Sequence, residues 1–107
     1  AGRLAAEGYV VLAVDLYGGR LATEPAAAMK LSQELTANSG PAEENLLAAY
    51  KYLDEVEKAP RIGTLGWCLG GRWSLQAALI LPDQVDATVI YYGMVNLAHP
   101  AQLAKLV

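Results

Sequence analysis

Cys68 is the chain's single cysteine, and it stands inside the hexapeptide Gly66-Trp67-Cys68-Leu69-Gly70-Gly71. An apolar stretch with strand character, Arg61-Ile62-Gly63-Thr64-Leu65, leads into it, and a helical pattern from Arg72 to Leu81 leaves it. Strand, Gly-x-Cys-x-Gly, helix is a pattern that presents a nucleophile on a tight turn. Such a turn strains the backbone of its central residue, so side chains at Gly66 and Gly70 would collide. It lifts the sulfur above the C-terminal end of a sheet and aims the Leu69 N–H at the oxyanion that develops on an attacked carbonyl. A plainer role also fits Cys68, since most free cysteines are small buried hydrophobes.

A nucleophile of this kind works with an acid and a histidine, in the chain order nucleophile, acid, histidine. After Cys68 the only acids are Asp83 and Asp86, and the only histidine is His99. Both acids fall between the helix and the next strand, at the end of the sheet away from Cys68. His99-Pro100 reads as a surface loop. One cysteine cannot close an internal disulfide, and one histidine does not furnish a zinc ligand set. No metal and no cofactor is expected.

The elements that must position these residues follow from pattern. Tyr9 to Val14 is a continuous apolar, β-branched run, which predicts a parallel strand buried on both faces. Asp15 closes it, as an acid that caps the following turn, and Leu16 to Arg20 form a loop at its C-terminal end. Thr23-Glu24-Pro25 opens a helix to about Ala37, with Met29, Leu31 and Leu35 as its apolar contacts. Asn38-Ser39-Gly40 breaks the chain. Pro41, with Glu43 and Glu44, starts a second helix whose core face is Leu46, Leu47, Tyr50 and Leu53, and Ala59-Pro60 ends it. Val85 to Tyr92 reads as a third strand stopped by Gly93, and Asn96 to Val107 as a short helix. Strands alternating with helices predict an α/β fold with a mostly parallel sheet and flanking helices, in one domain over residues 1–107.

Composition narrows the class. Of the 107 residues, 54% are apolar and 18% charged, which suits a globular chain rather than a disordered one. The net charge of −3, without a basic stripe, argues against nucleic acid as a partner. Apolar runs are too short to span a bilayer, and no export signal opens the chain, so no membrane partner and a cytoplasmic location are expected. The first eight residues read as the end of a helix stopped by Gly8, which predicts a central piece of a longer protein.

Three segments together resemble the dienelactone hydrolase (carboxymethylenebutenolidase) family of the α/β-hydrolase superfamily. They are Gly8-Tyr9-Val10-Val11-Leu12-Ala13-Val14-Asp15-Leu16-Tyr17-Gly18-Gly19-Arg20, Gly66-Trp67-Cys68-Leu69-Gly70-Gly71 and Val89-Ile90-Tyr91-Tyr92-Gly93. The resemblance implies a partial α/β-hydrolase fold and a hydrolase that opens a lactone or ester through a thiol ester on Cys68, with Leu69 as a backbone oxyanion donor. It implies that Arg20 holds a substrate carboxylate and that Tyr91 lines the pocket. One extra glycine precedes Arg20 relative to the best-known members. A solvated cation and a packed strand-end aromatic are the plainer readings of these two residues. The family's acid and histidine would lie beyond Val107.

The strand that the family places before Ala1 would lie between the strands of Tyr9–Val14 and Ile62–Leu65. Without it, sheet edges are exposed and self-association becomes an option. Two readings compete with the hydrolase. One is a non-catalytic or truncated scaffold that retains the core; the other is redox sensing at Cys68, which has no Cys-x-x-Cys and no resolving thiol behind it.

Overall fold

A computed structural model describes residues 1–95 and 100–106. The chain divides into two compact units, Ala1–Lys58 and Ala59–Val107. The expected helix over 96–107 is met in part. A short helix α5 covers Pro100–Leu103, followed by a 3₁₀ turn at Ala104–Leu106. Asn96 to His99 and Val107 lie outside the described residues.

The first unit is helical. Helix α1, Gly2–Ala6, stops where Gly8 takes a φ of 94°, a conformation that costs glycine little. Helix α2, Pro25–Ala37, begins on a proline whose missing N–H is no loss in a first turn. It buries Leu31 and Leu35, four residues apart on one face, whereas Met29 stands 64% exposed rather than in contact. Helix α3, Gly40–Lys51, buries Ala42 and half-buries Leu46, Ala49 and Tyr50, and Leu53 just beyond it is half-buried too. Those five positions form one helical stripe, and Leu47, expected on it, falls off its edge into solvent. A π-helical turn, Tyr52–Val56, continues α3, with the Glu57 N–H donating to the Tyr52 carbonyl at 3.1 Å.

The expected strand at Tyr9–Val14 does not form. No ladder pairs it among the described residues, and Tyr9, Val10 and Leu12 are exposed. A strand exists only where a neighbour takes up its N–H and C=O groups, so β-forming side chains alone leave this run outside any sheet.

The second unit is a βαβ arrangement. Strand β1, Gly63–Trp67, pairs in parallel with β2, Ala87–Tyr91, in a register running from Gly63↔Ala87 to Trp67↔Tyr91. Helix α4, Leu69–Ile80, crosses between them and buries Gly71, Trp73, Ser74, Ala77 and Ala78. The alternate residues Thr64, Gly66, Thr88 and Ile90 are the covered side of the sheet, while Leu65, Trp67, Val89 and Tyr91 are exposed. Behind the covered side, the Ser74 hydroxyl donates to Thr64 Oγ1 at 2.8 Å, and Thr64 Oγ1 reaches Thr88 Oγ1 at 3.1 Å. Polar groups that pair with one another in this way make a threonine-and-serine seam tolerable inside the unit.

Boundaries shift relative to the expected ones. The strand runs two residues later than Arg61–Leu65, because β2 supplies partners up to Trp67. The helix starts at Leu69 instead of Arg72, since the Arg72 N–H already reaches the Cys68 carbonyl at 3.2 Å. Strand β2 is shorter than Val85–Tyr92, because the Val85 N–H turns back to the Leu81 carbonyl at 3.1 Å and Tyr92 has a φ of 41°.

Candidate functional site

Cys68 occupies the single residue between β1 and α4, with φ 54° and ψ −115°. Side chains rarely adopt a positive φ, so the surrounding hydrogen bonds must hold it there. The Cys68 N–H donates to the Tyr91 carbonyl at 2.9 Å, tying the turn to β2. On the other side, the Cys68 carbonyl accepts the Arg72 N–H and so opens α4. The thiol itself is exposed. It does not take the plainer role of a small buried hydrophobe.

The glycines divide their labour unevenly. A Cβ on Gly66 would sit 2.0 Å from the Gly70 carbonyl oxygen, so only glycine fits there. At Gly70 a Cβ would meet nothing within 4 Å, contrary to the expected collision. Gly70 crowds the turn with its backbone rather than needing space for itself. The second tight position is Gly71, where a Cβ would lie 2.9 Å from Ile90 Cγ2 and 3.1 Å from Gly93 Cα. Gly93 answers it from beyond β2, with Ile90 Cγ2 only 2.7 Å from where its Cβ would be. The Gly71–Gly93 contact escapes a sequence reading, because the glycine pair is brought together only by the β1–β2 register.

Helix α4 has no side-chain cap and no acid in its first turn. The amides of Leu69, Gly70 and Gly71 precede the first residue that can reach a helical carbonyl, so they form a group of donors beside Cys68. Next to them, Trp67 and Tyr91 face each other across the last register pair. Their rings are stacked, with centroids 5.5 Å apart and planes inclined by 9°. Both remain open to solvent, at 52% and 48%. Cys68, Leu69 and Tyr91 are thus brought to one end of the sheet, with Trp67 as a further aromatic wall. Trp73 belongs to the core instead, at 6% exposure.

Asp86 sits at the opposite end of the ladder. Its carboxylate accepts the Ile62 N–H at 2.8 Å, and its own N–H donates to the Ile62 carbonyl at 2.8 Å. It is a strand-end fastener rather than a partner of the thiol. Asp83 lies exposed in the turn after α4, and His99 lies outside the described residues. No group of three or more His, Cys, Asp or Glu side chains converges among the described residues.

Arg20 belongs to the first unit. The carboxylate of Asp15 accepts the N–H groups of Tyr17, at 2.8 Å, and of Gly19, and so folds the loop into a compact turn. Gly18 and Gly19 give that turn its φ values of 64° and 82°. The Asn45 side-chain amide donates to the Asp15 carbonyl at 2.6 Å and moors the loop on α3. From this base Arg20 Nε donates to the Tyr17 carbonyl at 3.1 Å, and Nη1 pairs with Glu34 Oε2 of α2 at 2.6 Å. The loop and the two helices line an open cleft of ≈ 570 Å³, with Leu16, Leu35, Pro41 and Ala42 on its walls and Arg20 and Glu34 at its polar side.

A parallel β-strand, a strained cysteine turn and a helix that starts on it define an α/β protein built around a presented thiol. The chain belongs to the dienelactone hydrolase family, whose model matches residues 1–106 and whose fold is that of the α/β-hydrolases. It is 34% identical over 95 residues to "Protein usf" of Aquifex pyrophilus, covering 86% of this chain and 41% of that protein. It is 31% identical over 100 residues to the "Putative carboxymethylenebutenolidase" of Aquifex aeolicus (strain VF5), covering 91% and 43%. The chain therefore spans about two-fifths of the length of these relatives. No solved structure matches it. No described helix is long and apolar enough to cross a membrane.

Proposed function

We propose that this chain carries the nucleophile of a cytoplasmic carboxylic ester or lactone hydrolase, in a single, incomplete domain of the dienelactone hydrolase type over residues 1–107. The Cys68 thiolate attacks the acyl carbon, and the carbonyl oxygen, now negative, turns toward the Leu69 N–H. Collapse expels the alkoxide, which takes a proton, and leaves an acyl–sulfur bond. Water then cleaves that bond, returning the thiol and releasing the carboxylic acid. For a lactone the alkoxide stays tethered, so the ring opens and a single hydroxy acid leaves.

Tyr91, stacked on Trp67, forms an aromatic wall for the substrate, and Arg20 receives a substrate carboxylate. The acid and histidine that activate the thiol are supplied by sequence outside residues 1–107. The observation that carries this reading is the exposed Cys68 at φ 54°, between a parallel strand and a helix start that has no side-chain cap. A helix interior or a buried pocket would not hold a thiol that way.

The test is turnover. In the longer protein, Cys68→Ala lowers kcat/KM for a lactone or a nitrophenyl ester by at least about 10³-fold while the far-ultraviolet spectrum is kept. Unchanged turnover removes Cys68 from the mechanism. Residues 1–107 alone hydrolyse nitrophenyl acetate negligibly. A Cys68-dependent rate that titrates near neutrality would show that this chain needs no outside base.

A further inference from the structure

We propose that Glu34 is an internal competitor for Arg20: it occupies the guanidinium edge that a ligand carboxylate would grip, and so sets which ligands the cleft of the first unit accepts. The inference rests on the assignment of Arg20 to carboxylate binding made above.

A guanidinium offers two edges on which a carboxylate can lie with two parallel hydrogen bonds, Nη1 with Nη2 and Nε with Nη2. Nε has spent its one N–H, and Nη1 has engaged one of its two. Nη1 holds Glu34 Oε2 at 2.6 Å, and Nε holds the Tyr17 carbonyl at 3.1 Å. An arriving carboxylate that grips the Nε–Nη2 edge must displace the Tyr17 carbonyl, and one that grips the Nη1–Nη2 edge meets the like charge of Glu34 on Nη1.

The Tyr17 carbonyl belongs to a loop fastened by Asp15 and by Asn45, so it cannot move away alone. Glu34 is a long side chain on the surface of α2. Its ion pair is solvent-exposed, with side-chain exposures of 56% for Arg20 and 40% for Glu34, and pairs of that kind are weak. Glu34 is therefore the partner that yields.

The exchange is one carboxylate for another, so the charge around Arg20 stays balanced. A ligand that brings an anionic carboxylate can open the pair, while a neutral ester or amide of the same shape leaves it closed. The apolar walls Leu16, Leu35 and Ala42 suit the hydrocarbon body behind such a carboxylate.

The probe is phenylacetate, titrated into ¹⁵N-labelled chain while the Arg20 Nε–Hε resonance is followed. Glu34→Gln keeps the shape and removes the competitor, and is expected to tighten phenylacetate binding by about two- to five-fold. The backbone amides of Gly18 and Leu35, which line the cleft, are followed as well; Arg20→Gln abolishes their response, and phenylacetamide gives none. Glu24→Gln removes the same charge just before α2, at a residue with no described contact to Arg20, and leaves the affinity unchanged. Weaker binding by Glu34→Gln would overturn the proposal and make Glu34 a positioning residue for Arg20. Equal affinity, an equal gain from Glu24→Gln, or no response to phenylacetate in any variant would overturn it as well. None of these readouts involves Cys68, so the thiol assignment fails or survives on its own test.

Discussion

Tyr9–Val14 and Gly63–Trp67 invert what their side chains suggest. The first is an unbroken apolar run rich in β-branched and aromatic residues; the second, Gly-Thr-Leu-Gly-Trp, contains two of the residues least suited to a strand. Yet only Gly63–Trp67 is a strand. It has β2 along one edge, α4 on one face, and a Ser74–Thr64–Thr88 seam that stitches helix to sheet. Tyr9–Val14 has none of these. Partners decide a strand, and propensity only makes it ready for one. The glycine content of β1 has its own logic, since Gly66 is the place where α4 turns back over the strand.

The strongest way to break the comparison is to remove that glycine. Gly66→Ala sets a methyl 2.0 Å from the Gly70 carbonyl oxygen, and backbone must give way on one side or the other. The expected loss is about 3 kcal/mol or more, at the upper end of single substitutions. Gly70→Ala has open space and sits in the first turn of α4, so it costs less than about 0.5 kcal/mol or is mildly stabilising. Both tryptophans, Trp67 and Trp73, lie in the second unit, so their fluorescence in a urea titration follows the unfolding of this unit. Equal midpoints for the two variants would mean that the turn is not as tight as its geometry.

These two glycines also mark where the sequence stops being legible. The order strand, cysteine turn, helix, strand is readable from Gly66 to Gly93, as is the sheet end on which Cys68 sits. So is the distance of Asp86 from the thiol, because a crossover helix must carry the chain back to the opposite end of a parallel sheet. Which glycine is crowded is not readable, because that depends on where the Gly70 carbonyl and Ile90 Cγ2 come to rest. The Trp67–Tyr91 stack depends in turn on a register that only pairing sets. In the first unit, the Asp15 turn is readable from an acid followed by glycines. The Glu34 partner of Arg20, 14 residues away on α2, is not. Tyr9–Val14 misleads because its pattern describes a strand's needs and not its neighbours.

A milder perturbation sharpens the same contrast from the other side. Val10→Pro removes an N–H with no described ladder partner, and the residue is 58% exposed. The expected change is below about 1 kcal/mol, because no described hydrogen bond of the Val10 N–H is given up. Circular dichroism reads the change, since α2 and α3 contribute to the helical signal and the first unit holds no tryptophan. A drop of about 2 kcal/mol or more would show that a partner does pair with Tyr9–Val14 in solution. The run would then be a strand after all.

The smallest expected effect lies where the first unit ends. A π-helical turn places residues five apart on one side, so the Tyr52 hydroxyl donates to Glu57 Oε1 at 2.9 Å, directly above the Glu57 N–H bond to the Tyr52 carbonyl. The hydrogen bond to Glu57 raises the Tyr52 pKa above its usual 10.0, and the carboxylate's negative charge adds to that by opposing a phenolate. A raised value in the folded chain means that folding holds this proton more tightly than the unfolded chain does. The stabilisation is therefore complete below the ordinary tyrosine value and is lost as pH climbs through the raised one. Tyr52→Phe removes both the hydrogen bond and its titration. Compared by urea midpoints at pH 9 and pH 11, the wild-type chain loses more stability between the two than Tyr52→Phe does. Because the hydroxyl is solvated, the difference is slight. If the two chains decline in parallel, the Tyr52–Glu57 contact does not persist in solution, and the π turn is held by its backbone alone.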